Sequence, residues 1–159
     1  TLLGVPIYII ITWFGLIYMS FVFSIQIFNY ENFFNSDLNL FLITRLCLFP
    51  SFLMMFIDIV LDPIAVDEGR WNWEKPGVFY GVPILNFVGW FFNTFLILII
   101  FTFGIFSFGT LGFRRINEVP AVLFSIIPII ASRPCFERKL YVAGFFGLIL
   151  SSFLIILLF

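Results

Sequence analysis

Long apolar runs are the feature of this sequence that most restricts how the chain can fold. Five apolar segments separated by short polar stretches occupy residues 2–28, 40–61, 84–108, 119–131 and 140–159. A membrane-spanning helix needs about 20 mostly apolar residues, and helices satisfy their own backbone hydrogen bonds in lipid. Charged residues make up only 11% of the chain, against 62% hydrophobic. We therefore predict an all-α fold, a polytopic transmembrane helical bundle that forms a single domain over residues 1–159.

The fourth segment is the weakest of the five. At ~1.5 Å per residue it reaches only ~20 Å, and Pro120 and Pro128 interrupt it, so it is either a short span or a re-entrant piece. If it spans, one side of the membrane holds Arg70, Lys75, Arg133, Arg138 and Lys139, and the other holds Arg45, Arg114 and Arg115. The positive-inside rule then predicts that the connection after the second segment is cytoplasmic. A re-entrant fourth segment would invert this orientation.

The composition also argues against several classes of protein. Histidine is absent, and di-iron desaturases, b-type haem proteins and most chlorophyll-binding helices depend on imidazole ligands. Cys47 and Cys135 lie far apart, which predicts packing residues and neither a disulfide framework nor a metal knuckle. The net charge of −1 gives no indication of nucleic-acid binding. We expect no metal and no cofactor.

One stretch, residues 58–74, reads DIVLDPIAVDEGRWNWE and holds five of the nine acidic residues. Asp58 and Asp62 are four residues apart, so they share one face of a helix. Asp58 lies about one turn inside the apolar segment, and an ionisable group at membrane depth is a functional candidate because its burial is expensive. Arg45 is ~20 Å away along the helix axis, so it cannot be the partner of Asp58 unless Pro50 breaks the segment sharply.

Ordinary structural roles also fit parts of this stretch. Asp62 followed by proline is typical of a turn, and Asp67 and Glu68 suit a loop that faces water. Trp71 and Trp73 suit interfacial anchors, because tryptophan is enriched where a membrane meets water.

The third segment carries a polar stripe. Asn86, Gly89, Trp90 and Asn93 recur at three- and four-residue spacing, which places them on one face of a helix. Amides in a bilayer need hydrogen-bond partners, and small residues allow close approach of helices. The stripe therefore indicates either a polar site or a helix-packing face.

Two segments begin with similar sequences. GVPIYIIITWF starts at Gly4 and GVPILNFVGWF starts at Gly81, with a Trp-Phe pair at the same offset. A parallel internal repeat explains this similarity, since two helices that are two spans apart cross in the same direction. The simpler explanation is that Gly and Pro mark helix entry, because Pro is favoured in the first turn.

Three motifs together resemble those of a known family. They are Asp58-Ile-Val-Leu-Asp62-Pro63, Gly69-x-Trp71-x-Trp73-Glu74 and Tyr80-Gly81-Val82-Pro83-x-x-Asn86-Phe87-x-Gly89-Trp90. This pattern is similar to the CruF-type membrane carotenoid hydratases, and Leu3-Gly4-Val5-Pro6 with Trp13 resembles an earlier element of the same family. The resemblance is strongest between Asp58 and Trp90 and is only hydropathic after Ser107. Family members extend further at the N-terminus, so we expect a chain that lacks upstream residues.

The resemblance implies that the protein adds water across the terminal isopropylidene double bond of an acyclic carotenoid, giving a tertiary alcohol. Protonation of the alkene needs a neutral carboxylic acid, which burial favours, and aromatic faces stabilise the resulting cation. The candidate catalytic residues are Asp58, Asp62 and Glu74, and the candidate substrate-binding residues are Trp71, Trp73, Tyr80, Asn86, Trp90 and Asn93. By depth, we expect Asp58 to be the proton donor and Asp62 to position water. These side chains should converge at one end of the bundle.

Two other functions fit parts of the sequence. A non-catalytic, carotenoid-binding or structural subunit of a larger membrane complex is compatible with a shortened chain. A prenyltransferase is suggested by Asp58-x-x-x-Asp62, but its Mg²⁺-bound diphosphate usually needs a second Asp-rich motif, and the sequence has none. The expected partners are an acyclic carotenoid and the lipid bilayer, with other subunits of a membrane complex as partners in the second of these functions. The expected location is the cytoplasmic membrane of a prokaryote.

Overall fold

The structure of the protein, a computed structural model, describes residues 7–28, 40–108 and 117–159, with side chains up to Gly104 in the third helix. The helices within these ranges are α1 (Ile7–Ile27), α2 (Leu40–Asp67), α3 (Ile84–Phe108), α4 (Val119–Glu137) and α5 (Tyr141–Leu158). All five are long and apolar enough to cross a membrane. The predicted all-α, integral membrane architecture is therefore confirmed.

Helices α2 and α4 are longer than the apolar runs that predicted them. α2 continues through Pro63 to Asp67, and α4 continues through Pro134 to Glu137. A proline costs a helix one backbone hydrogen bond, but neighbouring helices and local adjustments make this tolerable in membrane helices. The apolar run ends before Asp62, but the helix does not. Asp58 and Asp62 therefore both lie on α2, and the interpretation of Asp62-Pro63 as a turn was wrong. At ~1.5 Å per residue α4 reaches ~28 Å, long enough for a span.

The start of α2 contains a π-helical turn, Thr44–Leu48, just before Pro50. The Arg45 carbonyl accepts a hydrogen bond from Ser24 Oγ, and the guanidinium carbon lies 3.6 Å from the centre of the Phe41 ring. Arg45 is thus held at the end of α2 opposite Asp62. As expected, it is not the partner of Asp58.

Side-chain contacts fix the directions of the helices. Cys47 Sγ lies 3.5 Å from Thr102 Oγ1, whereas Asn86, near the start of α3, contacts Asp62, near the end of α2, so these helices are antiparallel. Trp13 stacks on Trp90, and further along both helices Phe21 contacts Phe101. Helices α1 and α3 therefore run parallel.

Helix α4 crosses the whole bundle. Phe124, near its start, packs against Phe23, near the end of α1. Arg138, just after α4, pairs with Asp67 and Glu68 at the end of α2. The fourth segment is therefore a span and does not turn back, so the connections after α2 and after α4 lie at the same end of the bundle.

The parallel direction of α1 and α3 is what an internal repeat requires, but alternating spans produce it as well. The stacking of Trp13 on Trp90 is a more specific feature to compare with the repeat, since the two indoles occupy the same offset in the two similar sequences. Gly4, Val5 and Pro6 lie outside the described residues. The internal repeat stays a prediction.

Candidate active site

Two carboxylic acids lie inside the helical bundle. Asp58 and Asp62 are one turn apart on α2, with 0% and 2% of their surface exposed. Burial of two carboxyl groups is expensive unless each finds hydrogen bonds and the pair avoids a double charge. The contacts around them therefore decide how this pair is tolerated.

The connection between α2 and α3 positions the Asn86 amide beside the two acids. Residues 77–82 form a tight turn in which the Gly77 N–H donates to the Gly81 carbonyl oxygen at 2.9 Å. A Cβ atom on Gly77 would lie 2.1 Å from the Val82 carbonyl oxygen, and Gly81 has a φ of +85°, so both positions favour glycine. Helix α3 begins directly after this turn, which places Asn86 in its first turn.

Asn86 joins the two acids. Its Nδ2 donates to Asp58 Oδ2 at 2.9 Å and also to Asp62 Oδ2. Asp58 Oδ1 is buried and has no hydrogen-bond partner among the described residues. The Asp58–Asn86–Asp62 cluster thus combines two acids with one amide that holds an oxygen of each. Because an amide N–H occupies the space between the carboxyl oxygens, this arrangement does not suit a Mg²⁺ site of the prenyltransferase type.

Two stacked indoles lie beside this cluster. The ring centres of Trp13 and Trp90 are 3.7 Å apart, with 12° between their planes. Trp90 belongs to the same face of α3 as Asn86, whereas Trp13 comes from α1. Sequence analysis did not place Trp13 among the site residues, although its matching offset in the Gly81 sequence was a signal that it pairs with Trp90.

Asp62 lines a cavity of about 220 Å³, here called the Asp62 cavity. Its wall is mainly aromatic and aliphatic, with few polar groups. The lining residues are Tyr8, Ile9, Thr12, Trp13, Leu16, Leu61, Asp62, Ile64, Ala65, Arg70 and Trp71. Asp58 is not among them. The cavity wall therefore combines one acid, two indoles, a tyrosine, a threonine and an arginine with aliphatic side chains.

A second, more open depression of about 420 Å³ includes Trp90 in its lining, and we call it the Asn86 depression. It is lined by Trp73, Pro83, Leu85, Asn86, Gly89, Trp90 and Asn93. The sequence-predicted site residues thus surround two depressions and not one. Asn86 and the Trp13–Trp90 stack connect the two.

Besides Asp58, two predicted site residues, Glu74 and Tyr80, line neither depression. Glu74 is exposed in the connection between α2 and α3. The Tyr80 hydroxyl accepts a hydrogen bond from the Val142 N–H at 3.1 Å, so it holds the start of α5. The structure therefore does not bring Glu74 or Tyr80 to the Asp58–Asn86–Asp62 cluster.

The remaining acids of the stretch form ion pairs at the end of the bundle. Arg138 lies 3.2 Å from Asp67 and 2.6 Å from Glu68, and Glu68 also pairs with Arg70. Exposed pairs contribute little stability individually, but these connect the end of α2 to the α4–α5 turn. Glu68 also neutralises the charge of Arg70, which lines the Asp62 cavity.

Comparison with known proteins identifies the family of this chain. The profile of a family described as carotenoid biosynthesis protein matches residues 1–154. The chain belongs to this family. Membership of this family places the protein in carotenoid biosynthesis. A cavity with aromatic walls inside a bundle of apolar helices is compatible with that role.

A protein named bisanhydrobacterioruberin hydratase, from Haloarcula japonica, is 37% identical to this chain over 78 residues. The matched region is 48% of this chain and 25% of that protein, so the chain covers about a quarter of its relative's length. No solved structure matches the chain.

Proposed function

We propose that the protein hydrates the terminal isopropylidene double bond of an acyclic carotenoid to a tertiary alcohol. The observation that carries this proposal is the buried Asp58–Asn86–Asp62 cluster, whose Asp62 lines a cavity with aromatic walls. Membership of the carotenoid biosynthesis family and the name of the Haloarcula japonica relative support the same chemistry.

The first step is protonation of the alkene. Two acids one helical turn apart in a low-dielectric interior carry one proton between them, because the doubly ionised pair is strongly disfavoured. Sequence reasoning assigned the transferred proton to Asp58 because of its depth. Since Asp62 lines the cavity and Asp58 does not, we propose that Asp62 transfers the proton and that Asp58 lies behind it and shares that proton.

The second step is capture of the cation. The π electrons of the double bond take the proton at the CH carbon, which leaves a tertiary cation at the carbon that bears the two methyl groups. The indole faces of Trp13 and Trp71 in the cavity wall stabilise this charge by cation–π attraction. The oxygen of water then bonds to the cation, and its extra proton returns to the carboxylate pair. The acid is regenerated, and the net change is the addition of one water molecule.

This function is tested by incubating membranes that contain the protein with an acyclic carotenoid in water enriched in heavy oxygen. We expect a product heavier than the substrate by one labelled water molecule. The control is a membrane preparation of the Asp58→Asn/Asp62→Asn double variant, which should leave the carotenoid unchanged. A wild-type protein that retains bound pigment through purification but forms no labelled alcohol would favour the carotenoid-binding subunit instead.

We also propose that the protein lies in a prokaryotic cytoplasmic membrane with the α2–α3 connection on the cytoplasmic side. Arg70 and Lys75 lie in that connection, and Arg138 and Lys139 lie in the α4–α5 turn at the same end. The positive-inside rule favours the cytoplasm for this end, although Arg114 and Arg115, which belong to the opposite count, are outside the described residues.

The orientation is checked with Lys75→Cys, since Lys75 is exposed and the native Cys47 and Cys135 are buried. In intact cells, a membrane-impermeant maleimide should fail to label this variant and should label it after lysis. The unmodified protein is the control for background labelling. Labelling of Lys75→Cys in intact cells would reverse the orientation.

A further inference from the structure

Two buried indole N–H groups lie in the α2–α3 connection. Among the described residues, neither Trp71 Nε1 nor Trp73 Nε1 finds a hydrogen-bond partner, and both atoms are buried. A buried donor without a partner costs roughly 1–3 kcal/mol, and the N–H of a buried tryptophan usually finds an acceptor. Such a donor beside a cavity indicates that an oxygen atom binds there during function.

The two indoles border different depressions. Trp71 lines the Asp62 cavity, whereas Trp73 lines the Asn86 depression. A nucleophilic water must lose a proton as it bonds to carbon, so it needs a base nearby. Asp62 supplies a carboxyl group on the Trp71 side. On the Trp73 side, the nearest group of the cluster is the Asn86 amide, whose Nδ2 already donates to both acids.

We propose that Trp71 is the residue that holds and orients the attacking water. This inference rests on the proposed hydratase function and adds a positioning residue to it. The indole N–H donates to one lone pair of the water, and one O–H of the water donates to Asp62. The second lone pair is thereby directed at the tertiary cation. When the C–O bond forms, the proton moves from oxygen to the Asp62 carboxylate, so atoms and charge balance.

A positioned water decides what happens to the cation. The cation either bonds to water or loses a proton from an adjacent carbon and returns to an alkene. In deuterium oxide, the second route leaves deuterium in carotenoid that has not been hydrated. Loss of the Trp71 N–H removes the hydrogen bond that favours water capture but leaves the acid that forms the cation.

The experiment measures the ratio of deuterated, unhydrated carotenoid to hydrated product for Trp71→Phe and for Trp73→Phe. We expect Trp71→Phe to raise this ratio about tenfold, the effect of one hydrogen bond of ordinary strength. Trp73→Phe should keep the wild-type ratio, whatever happens to its total turnover. A variant in which Trp71 is replaced by its benzothiophene analogue keeps the ring shape and removes only the N–H, so it should reproduce the Trp71→Phe ratio even if Phe disturbs folding.

Two results would overturn the inference. One is an unaltered ratio in the benzothiophene variant, which keeps the aromatic face of Trp71 and lacks only its N–H. The other is a ratio that rises in Trp73→Phe and not in Trp71→Phe. Failure of the proposed function has a different signature, because the wild-type protein would then give neither hydrated product nor deuterated carotenoid.

Discussion

Replacing Asp62 with Asn should lower the rate of carotenoid hydration by ~10²–10⁴-fold, the usual effect of losing a general acid. Asn keeps the shape of the side chain but has no proton to transfer to the alkene. Asp62 is the member of the pair that lines the cavity, so its loss should be more severe than that of Asp58. Asp58→Asn should reduce the rate by a smaller factor. Asp62 can still reach the alkene in this variant, but it has lost the neighbouring acid with which it shares a proton.

The measurement is the initial rate of alcohol formation in membranes that contain equal amounts of inserted protein. Asp67→Asn is a matched control, since Asp67 lies on the same helix but pairs with Arg138 at the end of the bundle. It should hydrate at the wild-type rate. Depth in the membrane, the only guide that the sequence offered, predicts instead that Asp58→Asn lowers the hydration rate more than Asp62→Asn. If Asp58→Asn is inactive while Asp62→Asn is nearly normal, the alkene reaches the deeper acid and our assignment of the two roles fails.

Replacing Asn86 with Leu should lower the free energy of unfolding by about 3 kcal/mol, since it removes the amide that hydrogen-bonds to both buried acids. The hydration rate should fall as well, because the two carboxyl groups lose the donor that fixes their positions. The same substitution at Asn93 is the matched control for stability. Asn93 lies two turns further along the same face but is exposed.

Chemical or thermal unfolding in detergent measures this effect, and a second variant tests its cause. If the cost of Asn86→Leu comes from unsatisfied acids, replacing Asp58, Asp62 and Asn86 together with Leu should restore part of the lost stability, because a wholly apolar cluster leaves no buried polar group unpaired. A triple variant less stable than Asn86→Leu alone would show that the amide stabilises the bundle in another way.

The assignment of Asp62 to the cavity shows where sequence reasoning about the site was limited. Spacing alone places Asp58 and Asp62 on one helical face, and this was correct. Which of them meets a cavity depends on the residues that α1 contributes, namely Tyr8, Thr12 and Trp13. These residues are separated from Asp62 by about fifty positions in the chain, and helical periodicity carries no information across that distance.

Helix ends show a similar limit. The predicted segment 84–108 coincides with α3, because Pro83 precedes a long run that is mainly apolar. The apolar segments that mark α2 and α4 end earlier than the helices, because Asp62 and the Ser132-Arg133 pair interrupt the apolar runs but not the helices. Hydropathy records where side chains become polar, whereas a helix continues as long as its backbone hydrogen bonds are satisfied.

The sequence by itself determined that the chain forms membrane-spanning helices, since apolar runs of this length leave no other way to satisfy the backbone in lipid. It also determined that two acids share one face of α2. Only the tertiary structure decided that Asn86 joins those acids, that Trp13 stacks on Trp90 and that Asp62 faces a cavity. The physical reason is that backbone periodicity is local, whereas these contacts exist only because the tight turn at Gly77 and the antiparallel packing of α2 on α3 bring distant residues together.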